Sequence, residues 1–290
     1  MRPRAGERPL AHAKREHLDF EGDGGWLDAT AGLAAVVSER MSLRRLLQRI
    51  TLAAAVVAFA SNSVLASEAQ VSVSTIRLKI PGGAIRAEVF EPKGEEKRPT
   101  VLVLHGAGGT LLDGPEMRRV ARHLAARGCA VYLVRYFERT GTLFALDGTM
   151  QRHFPAWLET VRASIIAVQN ARGDAALVGL YGYSLGGFLA LSAASDNPRV
   201  GAVVEHAGGV WNSRMNLIGR MPPVLMVHGQ RDGRVSFEKY ASPLMPVLRA
   251  RAPTLATRFF PGEGHVFAAP AMKEVREAAA EFFLRHLTSG

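Results

Sequence analysis

A serine flanked by glycines stands where the sequence predicts that an apolar strand turns into a helix. Residues 182–186 read Gly-Tyr-Ser-Leu-Gly, which is the pattern G-x-S-x-G. The apolar run at 175–181 is typical of a short buried strand, and residues 188–194 favour a helix. A turn this sharp strains the backbone of Ser184 and exposes its hydroxyl, while the glycines leave room for the neighbouring chain. We therefore predict that Ser184 is a nucleophile.

Strands and helices alternate along much of the remaining chain. Strands are predicted at 71–80, 84–90, 100–104, 130–135, 175–181, 200–205, 223–228 and 254–260. Helices are predicted at about 115–127, 150–172, 236–250 and 270–287. This alternation favours an α/β fold in which helices cover both faces of a parallel sheet, with the first two strands paired as a hairpin. The segment 206–222 is too short for a cap domain, so we expect an open pocket.

Two residues downstream of Ser184 have the chemistry to activate it. A serine hydroxyl needs a base within hydrogen-bond reach, and that base needs an acid to orient it. Asp232 follows one apolar strand, and His265 lies in a glycine-rich loop after the next. The order serine, aspartate, histidine is that of α/β-hydrolases, and the carboxyl ends of parallel strands share one edge of the sheet. We predict His265 as the base and Asp232 as the orienting acid, with Glu205 and Glu263 as alternative acids.

A glycine-rich loop upstream of Ser184 is suited to stabilising negative charge on oxygen. Residues 105–109 read His-Gly-Ala-Gly-Gly and follow the apolar strand at 100–104. Such a loop can direct backbone N–H groups at the oxygen of a tetrahedral intermediate. We expect the oxyanion donors to be Leu185, directly after the serine, and Ala107, with a neighbouring glycine as the alternative to Ala107.

Four motifs together resemble the dienelactone hydrolase-like branch of the α/β-hydrolase family. They are H-G-A-G-G at 105–109, G-Y-S-L-G-G at 182–187, H-G-Q-R-D-G-R-V at 228–235 and G-E-G-H at 262–265. The resemblance covers about residues 71–288 and implies a doubly wound sheet of about eight strands and hydrolysis through a covalent acyl-enzyme. The namesake enzymes have a cysteine nucleophile and a glutamate in the first strand-end loop, whereas this chain has Ser184 and His105. A serine carboxylesterase-like activity is therefore expected in place of the dienelactone substrate.

Loops that follow the predicted strands supply candidate substrate contacts. Tyr136 and Arg139 follow the fourth strand, His206 ends the sixth, and Trp211 lies just beyond it. Arg139 is a candidate for binding a substrate carboxylate, as arginines do in dienelactone hydrolases. For each of these side chains a packing or surface role is the alternative, and His105 is expected to order its own loop.

Composition and residue spacing exclude several classes of function. The formal net charge is +10, but the basic residues are scattered and accompany no nucleic-acid motif. The spacing of histidines and of the single cysteine, Cys129, indicates no metal site, and Cys129 is predicted to be a buried thiol. We expect a small-molecule ester or lactone as the substrate, and no metal, cofactor or nucleic acid.

Two other functions remain open at this point. One is a prolyl-oligopeptidase-like peptidase or acyl-peptide hydrolase, which uses the same nucleophilic chemistry on amides. The other is a non-catalytic exported binding protein on the same fold.

The N-terminal part of the chain resembles a secretory signal placed inside the sequence. Residues 41–49 are basic, residues 50–60 are apolar, and residues 64–66 have the small-x-small character of a cleavage site. We predict a signal peptide at 41–66 and a catalytic domain at 67–290, with 1–40 an over-extended or disordered segment. The protein is then exported to the periplasm or outside the cell without stable membrane insertion, the alternative being a membrane anchor at 41–66.

Overall fold

A computed structural model describes residues 71–94, 97–173 and 176–288. The predicted signal peptide at 41–66 and the segment 1–40 lie outside these residues. Within the described residues, no helix combines the length and the apolar character that a bilayer crossing requires.

Eight strands form one sheet in the order β1-β2-β4-β3-β5-β6-β7-β8. Strand β1 pairs antiparallel with β2, and β2 pairs antiparallel with β4, while all other neighbours are parallel. The prediction of a mostly parallel α/β sheet of about eight strands is confirmed. The strands are β1 Val71–Ile80, β2 Gly83–Pro92, β3 Thr100–Leu104, β4 Ala130–Val134, β5 Val178–Tyr183, β6 Val200–His206, β7 Val224–Gly229 and β8 Leu255–Phe260.

Helices cover both faces of the sheet and create two separate layers of core. Helices α3, α4 and α5 pack on one face, and α2 and α6 pack on the other. Because both faces are covered, the central strands are apolar throughout instead of alternating. The helices are α1 Gly109–Leu112, α2 Gly114–Ala126, α3 Asp147–Arg172, α4 Leu185–Ala194, α5 Ser242–Arg251 and α6 Ala269–Leu287.

One predicted helix begins later than the sequence pattern indicates. Instead of starting at 236, the chain first makes a wide turn of π-helix at Phe237–Ala241, and α5 begins at Ser242. A proline in the first turn of α5 accounts for this boundary, since proline lacks an N–H and fits where no intrahelical donor is needed.

The connection between β6 and β7 adds no cap domain over the carboxyl edge of the sheet. It contains one short 3₁₀ helix, Asn212–Leu217, which confirms the prediction that this segment is too short for a cap domain. The loops that follow β3, β4, β5, β7 and β8 therefore define the candidate site.

The thiol of Cys129 is buried beside the start of β4. Burial raises its pKa to about 12, because the thiolate form would lose its hydration there. The cysteine is therefore an unreactive core residue, as its apolar surroundings in the sequence predicted.

Candidate active site

Ser184 occupies the turn between β5 and α4. Its backbone angles are φ 53° and ψ −120°, in the positive-φ region that non-glycine residues rarely adopt. Strain of this kind persists only where the surrounding structure holds it in place. A β-carbon on Gly182 would overlap the carbonyl oxygen of Gly186, so the tight turn requires glycine at that position.

The three residues predicted to cooperate lie in one hydrogen-bonded chain at the carboxyl edge of the sheet. The Ser184 hydroxyl lies 2.9 Å from Nε2 of His265, and Nδ1 of His265 lies 2.8 Å from Oδ2 of Asp232. A carboxylate only accepts hydrogen bonds, so Nδ1 carries the proton that is shared with Asp232. In the neutral imidazole, Nε2 is then the acceptor for the serine hydroxyl.

The Asp232 carboxylate is held by its own loop as well as by His265. Its Oδ1 accepts backbone hydrogen bonds from Arg234 and Val235, each at 2.8 Å. Burial by itself raises the pKa of Asp232, but the hydrogen bonds from His265 and Val235 outweigh burial and hold that pKa below its usual value. The group is therefore ionised beside the imidazole.

His228 lies behind this carboxylate and orders the acid loop. Its Nε2 donates to the carbonyl oxygen of Val235 at 2.7 Å and lies 3.5 Å from Oδ2 of Asp232. Burial lowers the pKa of His228, so the ring stays neutral.

The two alternative acids are engaged elsewhere. Glu205 is fully buried and accepts a hydrogen bond from the N–H of Gly208, and burial raises its pKa to about 8. Glu263 accepts the N–H of Ala268 at 2.8 Å, close to the start of α6. Nδ1 of His265 is occupied by Asp232.

The loop that follows β3 lies against the serine. A β-carbon on Gly106 would sit 3.1 Å from the β-carbon of Ser184, which places the predicted oxyanion loop in contact with Ser184. Leu185 is the first residue of α4, and the first N–H groups of a helix have no intrahelical acceptor. Ala107 is anchored through its carbonyl oxygen, which accepts the N–H of Ala145 at 2.8 Å.

Asp113 also belongs to this site, although no motif in the sequence indicates it. It stands directly before α2, where an aspartate is typical of a helix cap, but its side chain makes no cap hydrogen bond. Its carboxylate instead accepts a hydrogen bond from the N–H of Gly108 at 3.0 Å and so stabilises the loop that follows β3. Burial raises the pKa of Asp113.

His105 and Tyr136 brace the same loop from the core. Tyr136 donates to the carbonyl oxygen of His105 at 2.7 Å, and the two rings stack with centroids 4.2 Å apart. Nδ1 of His105 donates to the carbonyl oxygen of Gly106 at 2.8 Å. His105 therefore orders its own loop, and Tyr136 is a fully buried support for it.

The other candidate substrate contacts lie at three different places. Arg139 donates to the carbonyl oxygen of Gly82 at 3.1 Å, in the turn between β1 and β2. Trp211 packs against the rings of Phe154 and Phe188, with centroids 4.6 and 4.8 Å away. His206 is nearly fully buried and lines a cleft between α2 and α6.

No cluster of histidine, cysteine, aspartate or glutamate suited to a metal ion occurs in the described part of the chain.

Comparison with known proteins places this architecture in a family. The model of the dienelactone hydrolase family matches residues 85–289, which is most of the chain. The chain belongs to the dienelactone hydrolase family. Membership identifies it as a hydrolase and confirms the family resemblance seen in the motifs. No curated protein sequence matches the chain.

Solved structures share the fold of this dienelactone hydrolase family member at low sequence identity. A protein from Klebsiella pneumoniae assigned as a dienelactone hydrolase matches with TM-score 0.61 and 20% identity, over 74% of this chain and 99% of its own. The dienelactone hydrolase of Anabaena variabilis matches with TM-score 0.57 and 21% identity, over 75% of this chain and 99% of its own. An acylaminoacyl peptidase from Pyrococcus horikoshii matches with TM-score 0.60 and 15% identity, over 76% of this chain but 42% of its own.

Proposed function

We propose that this hydrolase cleaves a carboxylic ester or lactone through an acyl-enzyme on Ser184. The observation that carries the proposal is the continuous hydrogen-bonded chain from Ser184 through His265 to Asp232 at a strained strand-to-helix turn. A serine becomes a nucleophile when an oriented base removes its proton, and this geometry supplies both the base and its orientation.

In the acylation step, Oγ of Ser184 attacks the carbonyl carbon of the substrate while Nε2 of His265 takes the hydroxyl proton. The carbonyl oxygen becomes an oxyanion that accepts hydrogen bonds from the N–H groups of Leu185 and Ala107. When the intermediate collapses, the bond from the carbonyl carbon to the alcohol oxygen breaks. His265 then gives its proton to that oxygen.

Deacylation repeats the sequence with water as the nucleophile. His265 removes a proton from the water as the water oxygen attacks the acyl carbon. When this second intermediate collapses, the bond from the acyl carbon to Oγ of Ser184 breaks, His265 gives its proton to Oγ, and the carboxylic acid is released. Throughout the cycle the ionised Asp232 holds the imidazole in the productive tautomer and stabilises its cation.

The open edge of the sheet favours small or extended substrates. The short connection between β6 and β7 places no helical cap over the serine. His105 is buried, neutral and hydrogen-bonded within its own loop, so it offers no charged group to a substrate. A simple ester or lactone, with no need for a charged recognition group at that loop, fits this arrangement.

Removal of the serine hydroxyl tests the assignment. We expect Ser184→Ala to lower kcat for p-nitrophenyl acetate by up to roughly 10⁶-fold, because the covalent step is lost. A fluorophosphonate probe should label the wild-type protein and leave the variant unlabelled. Substantial turnover by a folded Ser184→Ala variant would refute the nucleophile assignment.

Substrate panels separate this proposal from its rivals. Wild-type enzyme should show burst release of p-nitrophenol, which a non-catalytic binding protein cannot produce. Esters should be cleaved faster than matched acyl-peptide amides. Preferred cleavage of the amides would replace the esterase proposal by a peptidase.

We also propose that the protein is exported after cleavage at Ala66. The basic, apolar and small-residue segments of 41–66 support this. Expression from Met41 in a bacterial host should deliver periplasmic protein whose N-terminus, by mass spectrometry, is Ser67 or within about two residues of it. Retention of Met41 on the mature protein would favour a membrane anchor.

A further inference from the structure

A cleft of about 520 Å³ lies between the first turns of α2 and α6. Its rim carries two strongly exposed apolar side chains, Leu112 and Val266, which are 68% and 79% exposed. Deeper in the cleft lie Tyr183, Phe267 and His206. Isolated exposed aliphatic side chains are ordinary, but these two give the mouth of the cleft an apolar rim.

The wall of the cleft is formed in part by direct chain neighbours of the proposed catalytic residues. Tyr183 directly precedes Ser184, and its hydroxyl donates to the carbonyl oxygen of His265 at 3.2 Å. Val266 and Phe267 directly follow His265 in the chain. The Tyr183 ring, which lines the cleft, lies 5.4 Å from the His265 ring between their centroids, so the cleft adjoins the residues that surround the imidazole.

His206 lines the cleft and has one ring nitrogen without a hydrogen-bond partner among the described residues. It is 1% exposed, and its Nδ1 lies 2.8 Å from the Tyr181 hydroxyl. That hydroxyl has no other hydrogen-bond partner in the described chain, so it donates to Nδ1 and the imidazole proton resides on Nε2. Burial lowers the pKa of His206 to about 3, which keeps the ring neutral. Nε2 has no partner among the described residues, although buried donors are normally paired.

The charged groups of the cleft compensate one another. Glu116 accepts from Arg276 at 2.7 Å and is also ion-paired with Arg119. Asp113 lies on the same wall, so the cleft has two acidic side chains, Asp113 and Glu116. The two basic side chains, Arg119 and Arg276, balance their formal charge. The cleft therefore offers no surplus charge to an ionic ligand, and its unpaired donor suits a neutral acceptor oxygen.

We propose that this cleft binds the alcohol part of the ester substrate, and that Nε2–H of His206 donates to a carbonyl or ether oxygen on that alcohol. This inference rests on the proposed acyl-enzyme mechanism, in which His265 must give its proton to the leaving oxygen. The group attached to that oxygen has to lie near His265, and the next two residues of the chain, Val266 and Phe267, line the cleft. The apolar rim covers the carbon skeleton of the alcohol, and His206 is a specificity residue for its polar end.

The leaving-group assignment is tested by separating acylation from deacylation. All acetate esters give the same acetyl-enzyme, so an alcohol pocket affects only the first step. Ala269→Trp fills the cleft from an exposed position on α6, and Ala268→Trp adds the same side chain at an exposed neighbour outside it. In Ala269→Trp, acylation by hexyl acetate relative to methyl acetate should fall on the order of tenfold, as expected when a pocket loses room for several methylenes. Deacylation of the acetyl-enzyme, and both steps in Ala268→Trp, should stay as in the wild type.

The role of His206 is tested with two esters of nearly equal shape. Wild-type enzyme should acylate faster with 4-oxopentyl acetate than with 4-methylpentyl acetate, each rate normalised to hydroxide-catalysed hydrolysis. His206→Phe, made together with Tyr181→Phe so that no hydroxyl is left unpaired, should abolish this preference. Tyr181→Phe alone is the matched control and should retain it, since the imidazole remains and the ketone oxygen of the bound ester itself selects the tautomer with the proton on Nε2.

Each remaining outcome overturns a distinct statement. A changed deacylation rate in Ala269→Trp would assign the cleft to the acyl group. An equal loss with methyl and hexyl acetate would exclude it as a substrate pocket, and a preference retained without His206 would remove the specificity role. If the wild type forms no acetyl-enzyme at all, the acyl-enzyme mechanism fails first and the cleft assignment fails with it.

Discussion

The α-carbon of Gly186 lies so close to the carbonyl oxygen of Leu104 that a β-carbon there would overlap that oxygen. This contact joins the first turn of α4 to the end of β3. The serine turn and the loop that carries Ala107 are thereby held at a fixed separation. An oxyanion that accepts hydrogen bonds from both Leu185 and Ala107 would have to fit within that separation.

Gly186→Ala should therefore destabilise the protein by about 1–3 kcal/mol, the usual range for overpacking, and should abolish the hydrolysis of p-nitrophenyl acetate that we propose. Urea unfolding and p-nitrophenyl acetate kinetics measure the two effects. Gly148→Ala is the matched control, because Gly148 is exposed and has open space where the β-carbon would be. Unchanged stability in Gly186→Ala would contradict the close approach described for this turn.

Asp232→Asn should lower kcat by roughly 10⁴-fold with little effect on folding, as the corresponding change does in serine proteases. The amide can donate to Nδ1 of His265, which then holds the wrong tautomer. Steady-state ester hydrolysis by the purified variant measures the loss. Glu263→Gln is the control and should retain near-normal rates, since Glu263 bonds to Ala268. A severe loss in Glu263→Gln with a mild one in Asp232→Asn would exchange the two roles.

Glu205→Gln should raise the free energy of unfolding relative to the wild type, and this gain should be larger at pH 8 than at pH 5. Burial raises the pKa of Glu205 to about 8, above its value in the unfolded chain. The stability contributed by the neutral carboxyl is thus complete below pH about 4.5 and is lost as the pH rises towards 8, at up to about 1.4 kcal/mol per pH unit. Glutamine keeps an acceptor for Gly208 and carries no such dependence. Urea unfolding of both proteins at pH 5, 6.5 and 8 should show a widening difference, and a constant difference would disprove the burial effect.

Acid should unfold the protein through its buried histidines. Burial lowers the pKa of His105 to about 4 and that of His206 to about 3, and it also lowers the pKa of His228. Their contribution to stability is present above pH about 6.5 and is lost as the pH falls towards the folded-state values. The contribution of Glu205 to stability increases as the pH falls over part of this range, which opposes the effect of the histidines. The pH dependence should therefore be measured in the Glu205→Gln variant. There the free energy of unfolding should fall by more than about 1.4 kcal/mol per pH unit between pH 6.5 and 4.5, which indicates uptake of more than one proton. A flat profile would show that these rings are hydrated.

The features that could be predicted from the sequence are those that a single local pattern determines. Ser184 stands in a strand–turn–helix pattern, and Asp232 and His265 each follow an apolar run, so the meeting of the three side chains followed from strands that share an edge. The strand order could not be derived in this way, because alternation says nothing of which strands become neighbours.

The supporting residues depend on tertiary packing and so escaped prediction. Asp113 has the sequence position of a helix cap, and only the fold brings its carboxylate under Gly108. Tyr136 follows a strand as a surface loop residue would, but the loop turns its ring inward onto His105. Neither orientation is encoded within a few residues of the side chain concerned.

The buried thiol of Cys129 makes the protein a ready background for site-specific labelling. It is the single cysteine of the chain, and a thiol with a pKa of about 12 is almost wholly protonated at neutral pH. A cysteine introduced on the surface would react with a maleimide fluorophore or a nitroxide spin label while Cys129 stays unmodified. Pairs of such labels on α2 and α6 would report in solution on the distance between the two helices, with no need to replace the native residue.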